Sequence, residues 1–289
     1  MASTVDLHIH TNASDGSDSP ALLLRKLKKA GITTFSITDH DTITGALEME
    51  RLVTPEFRFI RGIEFSCETP GGKCHILGYN FDPNDPVFAA ALEEGAALRQ
   101  EKLLSRLRYL EEILSITFTE AEKSWLYSLK SPGKPHFGKL LVDRGIAATI
   151  AEAIQTHINP HKPRRDRIEA STAISAILHA GGIPIWAHPL GGEGEKRLSV
   201  EEFNVQLAYL MRQGIRGLEC FYSRYSPSDV EFLTTQAKSN NLLISGGSDY
   251  HGSNKQDLPL GRLCAEDDSF SSDALVPLVS SCLLRSCDV

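Results

Sequence analysis

The segment Asp6-Leu7-His8-Ile9-His10 places two histidines in an apolar run with the pattern of a short β-strand. Side chains two residues apart on a strand project from the same face, so both imidazoles can reach one metal ion. Asp15 follows five residues after His10 and adds a carboxylate. An isolated His-x-His pair is more often two half-exposed surface histidines, so its interpretation depends on what the rest of the chain supplies.

Seven short β-like runs occur along the chain, and helical patterns separate most of them. One such pattern covers residues 20–30, where Pro20 stands at the start and Gly31 follows the end. This alternation predicts an α/β fold with a largely parallel sheet. The predicted strands are residues 5–9, 35–38, 57–63, 75–79, 183–187, 217–220 and 242–245.

One insertion interrupts the alternation between the fourth and fifth predicted strands. Residues 85–115 have the pattern of a long amphipathic helix, and residues 125–168 that of short helices punctuated by prolines. We therefore predict an all-helical cap inserted into a barrel. The predicted division is barrel, first part, at residues 1–82, helical cap at residues 83–170, and barrel, second part, at residues 171–289.

The composition is that of an ordinary globular protein: 289 residues, 41% hydrophobic and 23% charged. A net charge of −7 argues against a general electrostatic grip on duplex DNA or an anionic membrane, so an anionic substrate must meet local cations. The six cysteines show no C-x-x-C pairing, and no apolar run approaches the roughly 18 residues of a membrane span. These features predict reduced, structural cysteines and a cytoplasmic protein, and they leave the oligomeric state open.

Further polar clusters stand where other predicted strands end. Thr38-Asp39-His40-Asp41 follows the second, Ser248-Asp249-Tyr250-His251 follows the last, and Glu64, His75 and His188 lie at strand margins. A single histidine beside an apolar strand is more often a hydrogen-bonded structural residue. Strand ends of an α/β barrel converge on one face, however, so together these residues predict one pocket. Its predicted metal ligands are His8, His10, Asp15, His40, Glu64, His75, His188, Asp249 and His251.

The donor types indicate which metals this pocket suits. Imidazole and carboxylate without thiolate favour Zn²⁺, Mn²⁺ or Fe²⁺, whereas an all-oxygen set would favour Mg²⁺ or Ca²⁺. Nine ligands are too many for one ion, and at three or four per ion they predict two or three ions, with Glu64 a candidate bridge.

The motifs together resemble the PHP (polymerase and histidinol phosphatase) family, in its stand-alone, nucleotide-type branch. They are DLHIHTNASDG at residues 6–16, ITDHDT at 37–42, GIEFS at 62–66, HILGY at 75–79, AHPLGG at 187–192 and SGGSDYHG at 245–252. The resemblance implies a distorted seven-stranded β/α barrel with three divalent ions, Mn, Fe or Zn, with Mg possible at one. It implies three ligand sets: His8, His10, Glu64 and Asp249; Glu64, His75 and His188; Asp15, His40 and His251.

The inserted helices resemble the cap of bacterial enzymes that hydrolyse phosphate from AMP and nucleoside 3′,5′-bisphosphates, some relatives being 5′ exoribonucleases. Family members place cationic residues of the cap over the phosphate, whereas the plain alternative is a solvated helix face. The implied substrate-binding residues are Asp15, Arg99, Lys102, Lys134, His136 and Lys162, and the run Arg164-Arg165-Asp166-Arg167 is a weaker candidate.

The resemblance implies hydrolysis of nucleotide phosphomonoesters. The sequence shows no covalent nucleophile with a paired base, so we expect attack by metal-bound hydroxide. The leaving group's proton would come from a metal-bound water, Asp41 or His136, while Asp39 would orient ligand histidines.

Three alternatives stay open: a 5′-3′ exoribonuclease on short RNA, a histidinol phosphatase and a non-catalytic PHP module. Aromatic rings that stack on a base would favour a nucleotide substrate over histidinol phosphate. The candidates for such stacking are Phe137, Phe221 and Tyr222.

Overall fold

A computed structural model describes residues 4–129, 131–162, 167–192, 196–265 and 272–284, and in them one mixed sheet is surrounded by helices. The strands are β1 (Val5–Asp6), β2 (Thr34–Ile37), β3 (Arg58–Thr69), β4 (Gly72–Tyr79), β5 (Ile168–Glu169), β6 (Ile183–Ala187), β7 (Gly217–Tyr222) and β8 (Leu243–Gly247). The helices are α1 (Pro20–Ala30), α2 (Thr44–Leu52), α3 (Pro86–Arg108), α4 (Glu120–Ser128), α5 (Lys134–Asp143), α6 (Ile150–Ala153), α7 (Ala170–His179), α8 (Val200–Gln213), α9 (Pro227–Ser239) and α10 (Val276–Leu284).

Seven strands form a nearly closed barrel in the order β1-β2-β3-β4-β6-β7-β8, and β5 pairs with β3 off this path. The first and last strands meet, since Leu7 N donates to Gly246 O at 3.2 Å and His10 N donates to Tyr250 O at 2.9 Å. Each of the seven predicted strands overlaps one strand of the barrel. The predicted fold class, an α/β protein with a distorted seven-stranded barrel, is confirmed.

β4 departs from the largely parallel sheet that the alternation predicts, because it runs antiparallel to both β3 and β6. Only Pro70 and Gly71 connect β3 to β4, and a two-residue connection can join antiparallel strands but not parallel ones. Gly72, with φ of 126°, supplies the backbone conformation that ends this turn. The beginning of β4 therefore lies beside the finishing ends of its neighbours, and His75 pairs with Ser66 and Ala187 there.

The helices between β4 and β6 have a core of their own. α3 continues into a π-helical turn at Tyr109–Ile113, and α4, α5 and α6 pack against it. Buried apolar side chains of these helices and their loops form a cluster apart from those of the barrel: Leu103, Leu107, Leu110, Phe118, Leu126, Phe137, Leu140, Leu141, Ala147, Ala153 and Ile158. The division at residues 82 and 170 stays a prediction, but we keep the name cap for the helices α3 to α6.

The structure also bears on two expectations from the sequence, that the cysteines are reduced and that no segment spans a membrane. Five cysteines, Cys67, Cys74, Cys220, Cys264 and Cys282, are free and buried, and Cys287 lies outside the described residues. In the described part of the chain, none of the helices combines the length and the apolar character that crossing a bilayer requires.

The close approach of β8 to β1 makes Gly247 sensitive to substitution. A Cβ at this position would lie 2.3 Å from His8 N and 2.4 Å from His8 Cβ, so one of the two strands must shift. Gly247→Ala is expected to lower the free energy of unfolding by about 1–3 kcal/mol, as overpacking usually does. Urea-induced unfolding of the purified protein measures this loss.

Gly95→Ala is the matched control, since a Cβ there meets nothing nearer than Asp41 Cβ at 3.5 Å. Alanine is also the better helix former in α3, so this variant should be as stable as the wild type or slightly more stable. Equal stability of all three proteins would contradict the tight contact between β8 and β1.

Candidate metal centre

The structure brings all nine predicted ligands to one end of the barrel, where β1, β2, β6, β7 and β8 finish. We call them the rim cluster: His8, His10, Asp15, His40, Glu64, His75, His188, Asp249 and His251. All are deeply buried, and the side chain with the greatest exposed fraction, that of His40, is 13% exposed. Residues 243 positions apart in sequence, His8 and His251, thus belong to one site, because the barrel closes between β1 and β8.

Glu64 lies at the centre of the rim cluster, and its two carboxylate oxygens face different partners. Oε2 lies 3.3 Å from His8 Nε2, 3.2 Å from His10 Nε2 and 3.0 Å from His40 Nδ1. Oε1 lies 3.1 Å from His75 Nδ1 and 3.1 Å from His188 Nε2. This arrangement is the one that a carboxylate shared between two ions requires.

Asp249 completes the group around His8 and His10. Its Oδ1 lies 3.5 Å from His8 Nε2 and 3.2 Å from His10 Nε2, while its Oδ2 accepts from Tyr222 Oη at 3.3 Å and from Lys255 Nζ at 3.4 Å. The four donors His8, His10, Glu64 and Asp249 match the first ligand set that the resemblance implies, with ligand atoms within 4.8 Å of one another.

Asp15 gathers the histidines on the other side of the cluster. Its Oδ1 lies 3.2 Å from His251 Nε2 and 3.7 Å from His10 Nδ1, and its Oδ2 lies 3.9 Å from His40 Nε2. His10 therefore joins the third implied set, and His40, whose Nδ1 faces Glu64, also groups with Glu64 and His75. His188 reaches the same place, because its Nε2 lies 3.2 Å from His75 Nδ1.

Several buried polar atoms of the cluster make no hydrogen bond to the described residues and are placed to bind a cation. Among the described residues, Glu64 Oε2, His40 Nδ1 and His251 Nε2 have no hydrogen-bond partner, although each lies within 3.3 Å of a polar atom. Leaving buried polar atoms unsatisfied costs free energy, so native proteins rarely do it without a reason. Metal ligands have this geometry, in which several lone pairs point to one place with no proton between them. The donor set of imidazoles and carboxylates suits Zn²⁺, Mn²⁺ or Fe²⁺.

The pKa shifts of the three carboxyl groups and of two of the histidines favour the protonation states of a metal site. Burial opposes ionisation of Glu64, Asp15 and Asp249, but neighbouring charges, chiefly those of the histidines and, for Asp249, of Lys255, hold the pKa of each carboxyl well below its usual range. Burial lowers the pKa of His40 and of His251, which favours the neutral imidazole. Ionised carboxylates and neutral imidazoles are the protonation states that bind a metal ion.

Burial disfavours the charged form of His8 and His10, but the surrounding carboxylates, Glu219 and Glu64 for His8 and Asp249 and Glu64 for His10, raise the pKa of His8 well above its usual range and that of His10 to about 9. A metal ion that binds these two imidazoles would therefore displace a proton from each.

Three residues at the ends of barrel strands have left-handed backbone conformations that side chains rarely adopt. Asp41, His188 and Asp249 have φ of 50°, 28° and 55°. Such conformations cost of order 1–3 kcal/mol each and persist where surrounding contacts enforce them. Here they turn the chain sharply after β2, β6 and β8, which lets consecutive residues of one motif reach the site.

Carboxylates outside the rim cluster hold its loops in place. Asp39 accepts from Thr11 N at 2.7 Å, from Thr11 Oγ1 at 2.6 Å and from Ser14 Oγ at 2.5 Å, so it supports the loop before Asp15. Ser14 Oγ in turn lies 3.5 Å from His10 Nδ1, and the predicted role of Asp39 in orienting ligand histidines stays a prediction. Asp6 accepts from Ser248 N and Oγ at 2.9 and 2.6 Å and thereby fixes the loop that carries Asp249. A carboxylate in the apolar start of β1 was the sequence signal for this role, which our sequence analysis missed.

The predicted catalytic residue Asp41 and the predicted substrate-binding residue Arg99 bind each other. Arg99 Nε donates to Asp41 Oδ2, and Arg99 donates through Nη2 to Ser66 Oγ at 2.9 Å. Asp41 Oδ1 also accepts from Ser66 N at 2.7 Å. Because Arg99 lies on α3 and Asp41 follows β2, this buried ion pair attaches the cap to the barrel.

The other predicted substrate-binding residues come from the cap side. His136 Nδ1 accepts from Gly133 N at 2.9 Å, and a Cβ at Gly133 would lie 3.7 Å from Asp15 Cβ, so the start of α5 adjoins the cluster. Lys134 Nζ donates to Asn159 Oδ1 at 2.7 Å. Lys102 is buried and Lys162 is exposed. Arg164, Arg165 and Asp166 lie outside the described residues, whereas Arg167 donates to Cys74 O at 3.3 Å.

The aromatic rings predicted to stack on a base are not available for that role. Phe137 is 0% exposed within the core of the cap, Phe221 is 4% exposed and Tyr222 is 0% exposed. All three pack in hydrophobic clusters, so the suggestion that they contact a base is wrong.

Comparison with known proteins agrees with this site. The model of the PHP domain family matches residues 6–159. A 5′-3′ exoribonuclease of Salmonella typhimurium is 30% identical over 85% of this chain and 84% of its own length, and a 3′,5′-nucleoside bisphosphate phosphatase of Chromobacterium violaceum is 26% identical over 86% and 87%. A solved structure from Bifidobacterium adolescentis, assigned as a metal-dependent phosphoesterase, superposes with a TM-score of 0.80 at 25% identity and covers 96% of each chain.

Glu64→Gln tests whether the central carboxylate holds metal. The variant keeps the shape of the side chain but removes the charge that five histidines face, so the protein should retain fewer Mn²⁺ ions after dialysis and have at least tenfold weaker affinity for those lost. Metal content by mass spectrometry and a binding isotherm measure this.

Glu68→Gln is the matched control, because Glu68 lies on the same strand and outside the groups that can hold a metal ion. It should bind Mn²⁺ like the wild type. If Glu64→Gln also bound a full complement of Mn²⁺, the central role of Glu64 would be refuted.

Proposed function

The chain belongs to the PHP domain family, and from this premise we propose that it hydrolyses phosphomonoesters of nucleotides, AMP or a nucleoside 3′,5′-bisphosphate, with divalent metals in the rim cluster. The observation that carries the proposal is the convergence of three overlapping His and carboxylate groups beneath a cap that bears cations. Such a pocket suits an anionic ester on an otherwise acidic protein.

We propose three ions, Mn, Fe or Zn with Mg possible at one site, held by the three ligand sets. When bound, they would act as Lewis acids on the phosphate oxygens and activate the attacking water. The residues of the chain then serve to hold this array rigidly: Glu64 links two sets, and Asp39 and Asp6 fix the loops that carry Asp15 and Asp249.

A cluster of positive charge in and beside the cap supports a substrate with a second phosphate. Lys134 is an exposed residue, but partial loss of hydration among its neighbours and the charges of Arg106, Arg167, Lys73 and Lys162 lower its pKa to about 8. Cations held this close repel one another, and a bound dianion relieves the repulsion. A nucleoside 3′,5′-bisphosphate, with one phosphate at the rim cluster and one here, makes use of both features.

The protein groups near the leaving oxygen differ in what they can donate. The Asp41 carboxylate already accepts from Arg99 and from Ser66 N, which suits an acceptor and not a proton donor. His136 accepts at Nδ1 from Gly133 N, and burial lowers its pKa, so the ring is neutral with its proton on Nε2 and can donate a hydrogen bond but is a weak acid. We therefore favour a water molecule over both Asp41 and His136 for this proton transfer.

The test of the proposed function is a kinetic comparison of AMP, a nucleoside 3′,5′-bisphosphate, histidinol phosphate and a 5′-phosphorylated RNA trinucleotide, with Mn²⁺ supplied. We expect kcat/KM for one of the two nucleotides to exceed that for histidinol phosphate by at least 100-fold. Phosphate release measures the rates. Absence of hydrolysis of every compound would favour a non-catalytic PHP module.

The second candidate, a 5′-3′ exoribonuclease, is favoured by the name of the relative from Salmonella typhimurium. It predicts that the trinucleotide is degraded from its 5′ end with a kcat/KM above that for either nucleotide. A 5′-hydroxyl trinucleotide is the control, because an enzyme that recognises the terminal phosphate should leave it intact.

Lys134→Met tests the cation cluster through its pH dependence. The lowered pKa means that Lys134 is charged below about pH 8 and loses its charge above, so KM for the bisphosphate should rise as pH increases from 7 to 9. In the variant, KM should be about tenfold higher at pH 7 and should lose this part of the pH dependence, since a charge-assisted contact to phosphate contributes roughly 1.5 kcal/mol.

Lys139→Met is the control, because Lys139 is on the same helix but pairs with Asp143 at 2.6 Å on the surface. Its KM and pH profile should match those of the wild type. An unchanged KM in Lys134→Met would remove Lys134 from the proposed phosphate contact.

A further inference from the structure

Glu219 is a fully buried carboxylate in the middle of β7, between apolar neighbours. Its Oε1 lies 2.8 Å from His8 Nδ1, and its Oε2 accepts from the backbone N–H of His188 at 2.7 Å. One side chain thus contacts two members of the rim cluster that are 180 residues apart and follow different strands, β1 and β6. A buried carboxylate is expensive unless it is hydrogen-bonded, so these two bonds are the compensation for its burial.

The bond to His8 decides which nitrogen of that imidazole is available. A carboxylate at Nδ1 keeps a proton there, which leaves Nε2 with its lone pair. His8 Nε2 is the atom that lies 3.3 Å from Glu64 Oε2 and 3.5 Å from Asp249 Oδ1. Glu219 therefore aims the lone pair of His8 at the first ligand set.

The bond to His188 stabilises a strained backbone. His188 has φ of 28°, a conformation that non-glycine residues rarely adopt. The carboxylate of Glu219 holds its N–H while the side chain turns so that Nε2 lies 3.1 Å from Glu64 Oε1. Without this acceptor the strained turn after β6 would lose one of the contacts that enforce it.

We propose that Glu219 is a positioning residue that orients His8 and His188 together and so sets the affinity of two of the three metal sites. The inference rests on the proposed function, since it concerns the same rim cluster. The third set, Asp15, His40 and His251, has no hydrogen bond or ion pair to Glu219 among the described contacts. Its affinity for metal is therefore independent of Glu219.

Glu219→Gln tests this proposal with little change in shape. The amide has one acceptor oxygen and a donating NH₂ group, so it cannot accept both from His8 Nδ1 and from His188 N. If the NH₂ group faces His8, the imidazole proton must move to Nε2, which removes the ligand lone pair. Titration of the metal-free full-length protein with Mn²⁺ should show that the affinity of two sites falls about 10- to 100-fold, which is the usual effect of losing such an orienting partner. The Mn²⁺ affinity of the third site should not change.

Glu219→Asp provides the rescue. Aspartate keeps the charge and both acceptor oxygens but is shorter by one methylene, so the two affected sites should recover part of their affinity relative to Glu219→Gln. If Glu219 acts through its charge and hydrogen bonds, metal affinity should fall in the order wild type, Glu219→Asp, Glu219→Gln. If Glu219 only filled space, Glu219→Gln, which has nearly the same shape, would bind metal better than the shorter Glu219→Asp.

Tyr79→Phe is the matched control for stability. The Tyr79 hydroxyl is also fully buried inside the barrel, donates to Leu7 O at 2.9 Å and lies 3.1 Å from Ser245 Oγ, and among the described residues it hydrogen-bonds neither to the rim cluster nor to Glu219. Its removal should lower the free energy of unfolding while all three Mn²⁺ affinities stay at their wild-type values.

The outcomes separate the two proposals. Selective weakening of two sites in Glu219→Gln, with partial recovery in Glu219→Asp, supports the inference. Wild-type binding at all three sites, or equal weakening of all three in proportion to lost stability, overturns it while the proposed function stands. Wild-type protein that binds no Mn²⁺ overturns the proposed function and the inference with it.

Discussion

The structure depends on how buried charge is compensated at the rim of the barrel. Three carboxylates and six imidazoles meet there almost out of contact with water, and Glu64 stands between them with one oxygen toward each of two histidine groups. Removing a carboxylate from water costs several kcal/mol, which only opposite charge and hydrogen bonds nearby can offset. The neighbouring histidines do so in part, and bound cations would do so more completely.

This requirement extends outward through a second layer of acidic residues. Asp6, Asp39 and Glu219 are each fully or almost fully buried, and each accepts two or more hydrogen bonds from segments that carry ligands. A further network, in which Tyr250 Oη and Lys26 Nζ both donate to Asp18 at 2.7 and 2.6 Å, ties α1 to the loop after β8. The loops that carry the ligands are therefore held by hydrogen bonds from their backbone N–H groups as well as by the packing of side chains.

The cap contributes positive charge next to the carboxylates of the rim cluster. Arg99 attaches it to Asp41 at the end of β2, and Lys134 and its cationic neighbours lie beyond this attachment point. A protein with a net charge of −7 thereby has a local group of positive charges in and beside the cap, where we propose that a phosphate binds. The antiparallel β4 matters for the same reason, since it brings His75 and the neighbouring Lys73 to this side of the barrel.

Motifs, strand periodicity and donor chemistry are local properties of the linear sequence, and they were enough to predict the family, the seven strands of the barrel and the nine rim residues. The folding of the whole chain set the direction of β4, the pairing of Arg99 with Asp41 and the burial of Phe137, Phe221 and Tyr222. It also decided that Glu219 contacts His8 from 211 positions away. These features depend on which distant segments the closing barrel brings together, and periodicity within a strand or helix does not specify that.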